Sequence, residues 1–189
     1  MVNHDEYFEY LNRRSRLGAL YRAHWLYPKL SRRLVGKVLD IGCGIGDMLV
    51  FRPGSVGVDI NPRTVELCRA RGATACLMAA DMLPFDDAQF DSALMDNVLE
   101  HIEDPTSILV EAKRVLRTRG RLLVGVPGSK GWSHDADHKV RYDVSLLAKT
   151  VAAAGFVHDE TFHTPLWKSD WLDRNIKQYC IYGSFTSRH

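Results

Sequence analysis

Long apolar runs are missing from this chain of 189 residues. No stretch approaches the roughly 20 apolar residues that span a bilayer. The amino terminus, MVNHDEYFEYLNRRSR, is charged where a secretory leader carries its apolar centre. Cysteine is sparse as well. Cys43, Cys68, Cys76 and Cys180 are scattered with no C-x-x-C pair, which speaks against a disulfide framework or a zinc site and suits reduced thiols in a cytoplasmic protein. An excess of one charge is also lacking. A net charge of +2 and no basic stripe argue against nucleic acid as the main partner. Internal repeats and low-complexity segments are absent, and the length suits one domain with a real core.

Residues 38–60, VLDIGCGIGDMLVFRPGSVGVDI, organise the rest. An apolar run of buried-strand length, Val38 to Ile41, breaks into Gly42-Cys43-Gly44-Ile45-Gly46, and a second short run ends in Asp59. Strand, glycine loop, short helix, strand and terminal acid make one βαβ unit suited to a nucleoside. Glycines let the backbone turn tightly against a ligand, and the terminal acid can accept from ribose hydroxyls. The spacing is G-x-G-x-G followed by Asp47, not the G-x-G-x-x-G of dinucleotide sites, and Asp40 stands ahead of it. A carboxylate here repels a pyrophosphate but can accept from the amino group of an amino-acid tail. An NAD loop, or a glycine turn with no ligand, is the competing reading.

LDIGCGIGD resembles motif I of the class I S-adenosylmethionine-dependent methyltransferases, and Asp59 matches their ribose-binding acid. Three later segments agree, in the right order. After a third strand at residues 74–78, the DMLPF turn places Asp81 and Met82 where the family holds adenine. FDSALMDNVLEHIEDP resembles the fourth strand and following turn of the methyltransferase type 11 group, with Asp96 and Asn97 at the strand's carboxyl end. RVLRTRGRLLVGVP resembles the helix end and fifth strand, with Thr118-Arg119 replacing the usual Pro-Gly. The resemblance spans about residues 36–127. It implies an α/β fold with a Rossmann-like seven-stranded sheet, parallel except for an antiparallel carboxyl-terminal hairpin, with helices on both faces. It implies S-adenosylmethionine as cofactor and S-adenosylhomocysteine as product, held by Asp40, Gly42, Cys43, Gly44, Gly46, Asp59, Ile60, Asp81, Met82, Asp96 and Asn97.

Flanking this core, residues 3–34 read as helix, with Tyr7, Tyr10, Leu11, Leu17, Leu20, Tyr21 and Trp25 at helical spacing and Arg13, Arg14, Arg16 and Arg22 between them. Pro28 is expected to divide it in two. The segment reads as lid plus packing over residues 35–127, and residues 128–189 as acceptor loop, helix and closing hairpin. The hairpin strands are expected at residues 156–162 and 179–185, with the fifth strand at 121–127 after a helix closed by Arg119-Gly120. Trp167, Trp171, Tyr179 and Tyr182 are more aromatic surface than the hairpin needs, so a homodimer contact is expected there.

Methyl transfer from a sulfonium needs an aligned acceptor and, for an aliphatic hydroxyl, a base. His101, just after the fourth strand, and His138, in the loop after the fifth, are the candidates; His101 otherwise caps or packs. His134, Arg141 and Tyr142 are candidate acceptor contacts, with Trp132 and Tyr142 as stacking walls. His134 and His138 flank Asp135 and Asp137, which also reads as ligands for a divalent ion; the metal-free acceptor site is the reading adopted. The function expected is O-methylation of a small molecule or sugar-containing precursor in the cytoplasm. N- or C-methylation of a metabolite, or a non-catalytic cofactor-binding partner subunit, are the alternatives. A nucleic-acid substrate is not expected, since Asp96-Asn97-Val98-Leu99 stands where N/D-P-P-Y/F would.

Overall fold

The computed structural model describes residues 15–188. Tyr7, Tyr10, Leu11, Arg13 and Arg14 of the expected amino-terminal helix lie outside the described residues. The described elements, in order, are α1 (Arg16–Tyr21), a π turn (Arg22–Leu26), α2 (Tyr27–Ser31), β1 (Val38–Ile41), α3 (Asp47–Phe51), β2 (Val56–Asp59), α4 (Pro62–Ala70) and β3 (Thr74–Leu77). There follow β4 (Phe90–Asp96), a 3-10 turn (Leu99–His101), α5 (Thr106–Val115), β5 (Leu116–Pro127), α6 (Ser129–Trp132), α7 (Val144–Ala153), β6 (Phe156–Thr164), α8 (Asp170–Asn175) and β7 (Cys180–Ser187). They build a seven-stranded sheet ordered β3-β2-β1-β4-β5-β7-β6. Strands β1 to β5 pair in parallel, and β7 runs antiparallel between β5 and β6. Chain order reverses between β1 and β4, the crevice where open α/β sheets bind ligands.

Local chemistry sets the helix starts. Asn61 accepts from the Arg63 amide at 2.9 Å with Pro62 at the first helical position of α4, and Asp143 accepts from Leu146 at 2.8 Å to open α7. Alternating side chains give the central strands two apolar faces. Leu39, Ala93, Met95, Leu122 and Val124 enter one core with α5 and α7, whereas Val38, Leu94, Leu123 and Tyr182 enter another with Leu26, Tyr27 and Leu30. Helices thus cover both faces. Asp40 and Asp96 share the parity of Val38 and Leu94, which puts both carboxylates on the side roofed by the amino-terminal helices.

Three expectations are corrected. Pro28 does not divide the first helix; helical structure runs from Arg16 to Ser31, and the π turn ends just ahead of Pro28. The wider turn accommodates a residue that lacks an N–H and crowds the preceding turn. Strand β5 begins at Leu116, not at Arg121, and α5 stops at Val115 without reaching Arg119-Gly120. Leu116 is fully buried opposite Phe90, so sheet pairing captures it before a helix cap can form, and the register then shifts so that Arg121 meets Ser92. Tyr179 and Tyr182 are not surface aromatics. Both are buried, and Tyr182 stacks on Phe162 at 5.1 Å.

Candidate functional site

The glycine loop follows β1 directly and is pinned to β2. The Val58 carbonyl accepts from the Gly42 and Cys43 amides at 2.8 and 2.9 Å. Asp59 accepts from the Gly44 amide at 2.8 Å through one oxygen and from Asn61 at 2.9 Å through the other. The acid at the tip of β2 therefore shapes the loop. Gly42 and Gly46 have positive φ, and a Cβ would strike Val98 or the Cys68 sulfur within 2.7 Å. Only glycine fits there.

At the end of β4, Asp96 Oδ1 accepts from the Tyr182 hydroxyl at 2.6 Å and from Asn97 Nδ2 at 3.1 Å. Asn97 takes the left-handed conformation, which asparagine tolerates better than most side chains, and turns the chain into the 3-10 turn that carries Glu100 and His101. The Glu100 carbonyl accepts from the Lys139 and Val140 amides at 2.7 and 3.1 Å. That tie holds the loop after β5 against the turn after β4, and it brings the His138 and His101 rings to 4.7 Å.

A cavity of about 610 Å³ opens at these strand ends, within the usual range for a small-molecule or cofactor site. Its floor includes Asp40, Gly42, Gly44, Asp96 and Asn97; its walls include Glu100, His101, His134 and His138; Tyr21, Arg22 and Leu26 of the amino-terminal helix close over it. Burial raises the Asp40 carboxyl well above the usual range, and the nearby Asp96 adds to it. Burial likewise raises Glu100, which is fully buried with neither carboxylate oxygen hydrogen-bonded among the described residues. His101 is lowered from 6.5 by burial first and by the neighbouring His138 next. Overhead, burial pushes the Tyr21 phenol up to about 12. Arg22 keeps Nε and Nη2 without hydrogen-bond acceptors among the described residues, its Nε standing 3.7 Å from Asp47.

The cavity thus gathers Asp40, Gly42, Cys43, Gly44, Asp96, Asn97, His101, His134 and His138 of the residues singled out from sequence. Asp59 sits beneath the loop, while Ile60, Asp81 and Met82 lie exposed at the carboxyl ends of β2 and β3. Gly46 caps α3. Arg141 donates to the Ser129 hydroxyl at 2.7 Å, and Tyr142 is buried in the main core; neither lines the cavity. Tyr21, Arg22, Glu100, Lys177 and Gln178 line it without having been singled out for the site. Glu100 adjoins His101 in sequence, which was the available signal. Arg22 was read only as one arginine of the lid segment; that it lines the cavity depends on the π turn it opens. Among the described residues no helix is long and apolar enough to cross a membrane.

Residues 39–124 match a family described as "Methyltransferase domain". A "Probable S-adenosylmethionine-dependent methyltransferase" of Mycolicibacterium smegmatis is 30% identical over 155 residues, 75% of this chain and 60% of that protein. A demethylmenaquinone methyltransferase of Tropheryma whipplei is 35% identical over 122 residues, 57% of this chain and 50% of that one. The chain spans about half the length of these curated relatives, or less in other matches. A Thermotoga maritima structure described as a "SAM-dependent methyltransferase, possible histamine N-methyltransferase" superposes with a TM-score of 0.78 at 22% identity, covering all of both chains, and so shares the fold.

Proposed function

We propose that this chain, whose residues 39–124 match a methyltransferase domain, is a class I S-adenosylmethionine-dependent methyltransferase that methylates a small-molecule or sugar-containing acceptor at oxygen, inside the cavity described above. The observation that carries this reading is the joining of two chemistries in one space. Asp40 and the glycine loop stand on its floor, and a pair of imidazoles stands on its wall. The orphaned polar atoms fit a zwitterionic amino-acid tail. Arg22 offers unpaired N–H groups to a carboxylate, and Asp40, beside Asp96, gains a reason to ionise only when an ammonium arrives. Asp59 and the Asp81-Met82 turn would hold the nucleoside end, on the far side of the loop from the cavity floor.

S-adenosylmethionine, when bound, supplies the activated methyl carbon. The protein's own tasks are to align the acceptor, keep water out and take its proton. His101 suits the last task, since burial first and the neighbouring His138 next lower its affinity for protons and favour the neutral imidazole. His138 is the second candidate, its Nδ1 fixed by the Trp132 carbonyl at 2.7 Å. Methylation at nitrogen or carbon is the second reading, since one relative is described as a C-methyltransferase of ubiquinone/menaquinone biosynthesis and one structural neighbour as a possible histamine N-methyltransferase.

The test is methyl transfer from labelled cofactor to fractionated small-molecule extracts, followed by His101→Ala and His138→Ala. Loss of the base lowers kcat by about 10²–10⁴-fold with S-adenosylhomocysteine affinity unchanged. The wild-type rate should stay level through neutral pH and fall on the acid side, at a lower pH than an ordinary histidine would give. Near-normal kcat in both variants would remove the base and point to an acceptor more nucleophilic than an alcohol. Failure to label any fraction would favour a non-catalytic, cofactor-binding subunit.

A further inference from the structure

Glu100, His101 and His138 place ligand atoms within 4.8 Å of one another. They come from the turn after β4 and the loop after β5, joined by the Glu100 carbonyl. The residues read from sequence as a potential ion site were His134, Asp135, Asp137 and His138. In the fold His134 turns its Nδ1 to the Lys130 carbonyl at 2.7 Å, and His138 pairs with Glu100 and His101 instead.

The orientation of His138 can be deduced. A carbonyl only accepts, so the contact of Nδ1 with the Trp132 oxygen puts the proton on Nδ1 and leaves a lone pair on Nε2. That lone pair faces Glu100 Oε1 at 3.9 Å. With Glu100 ionised, two acceptors therefore face each other in a buried place, with no donor between them among the described residues. A shared proton would draw such a pair to about 2.7–2.9 Å, so 3.9 Å is too long for a hydrogen bond. A first-row divalent ion holds nitrogen and oxygen at about 2.0–2.2 Å, which separates two of its ligands by up to about 4.2 Å. The Glu100–His138 pair falls within that span, while the cluster's limit of 4.8 Å lies beyond it, so binding an ion requires the side chains to draw together. The His101 ring is likewise held by the backbone of Asp137, so both imidazoles carry the carbonyl support that orients metal-binding histidines.

We propose that Glu100, His101 and His138 form a binding site for a divalent transition-metal ion of the zinc, iron or cobalt kind, open to the cavity. Two imidazoles with one carboxylate favour these ions over magnesium or calcium, which take oxygen sets. The fully buried Glu100 carboxyl, with neither oxygen hydrogen-bonded among the described residues, either keeps its proton or takes a counter-charge, and an ion held with the two imidazoles supplies that charge. All three residues line the cavity, so the remaining coordination positions face an entering acceptor. That last use rests on the function proposed above; the binding of the ion does not. In that function His101 or His138 serves as base only in the ion-free chain, because an imidazole holding the ion has no free nitrogen.

The test uses untagged, chelator-stripped full-length protein, titrated with cobalt(II) followed by visible absorption and with zinc followed by calorimetry. One ion per chain should bind, with weak visible bands and no intense near-ultraviolet band from thiolate. Glu100→Gln and His138→Gln should each weaken binding by about 10–100-fold or more, whereas His158→Ala on β6 should not. Titration of the same samples with S-adenosylhomocysteine separates the two readings, since cofactor binding without metal binding overturns this inference alone. Uptake of neither metal by the wild type at about 100 µM would overturn it. So would an intense thiolate band, which would put the ion on cysteine, or unchanged binding in the folded variants.

Discussion

Asp40 has an acid's chemistry in a place that disfavours its charge. Burial holds its proton well above the ordinary carboxylate range, and Asp96 reinforces this. Between the ordinary carboxylate value, about 4, and that raised value, the folded chain keeps a proton the unfolded chain has released. Stability therefore falls as pH rises through that window. Asp40→Asn has no charge to bury, so its melting temperature should exceed the wild type's at pH 7–8, and the gap should close towards pH 4. Its affinity for S-adenosylhomocysteine should fall. A gap independent of pH, measured by thermal unfolding across that range, would mean Asp40 is not carrying the burden assigned to it. Asp40, Gly42, Gly44 and Asp96 were legible from sequence because their roles follow from positions along adjoining strands. Glu100 and Arg22 were not, because each acquires its meaning from a neighbour far away in the chain or from a local departure from α-helical geometry.

At the scale of elements, strands β1 to β4 and helices α4 and α7 stand within a residue or two of where apolar runs, Asn61-Pro62 and Asp143 placed them. The misplacement of β5 shows the limit of such reading. Where a helix stops and a strand starts at Leu116 is decided by pairing with Phe90, which no local pattern records. The same passage leaves Arg119 at φ 63°, where the resembling family carries glycine. A left-handed backbone costs a side chain about 1–2 kcal/mol, and glycine's extra freedom when unfolded returns about 0.5–1 kcal/mol of that. Arg119→Gly should therefore stabilise the protein by roughly 0.5–1 kcal/mol. Urea unfolding should show a higher midpoint with an unchanged slope, and a lower midpoint would show that the Arg119 side chain contributes more than its backbone costs.

For the whole molecule, the parallel sheet with its closing antiparallel strand was legible because four motifs fell in order along the chain. The contact between the loops after β4 and β5, which makes one cavity of cofactor floor and imidazole wall, was not legible, since it depends on one backbone carbonyl. Of the four aromatics expected at a dimer surface, Trp167 and Trp171 remain, 68% and 65% exposed beside Leu166. Sedimentation at about 50 µM should give a dimer that Trp167→Ser weakens, and a strict monomer would leave those rings to some other purpose. The central claim is that the cavity and the glycine loop bind one amino-acid-bearing nucleoside. Calorimetric titration with S-adenosylhomocysteine and with NAD tests it most directly. The account predicts one S-adenosylhomocysteine bound per chain, no NAD, and a loss on the order of 1.5–3 kcal/mol in Asp59→Ala. Tight binding of NAD with no response to S-adenosylhomocysteine would contradict it.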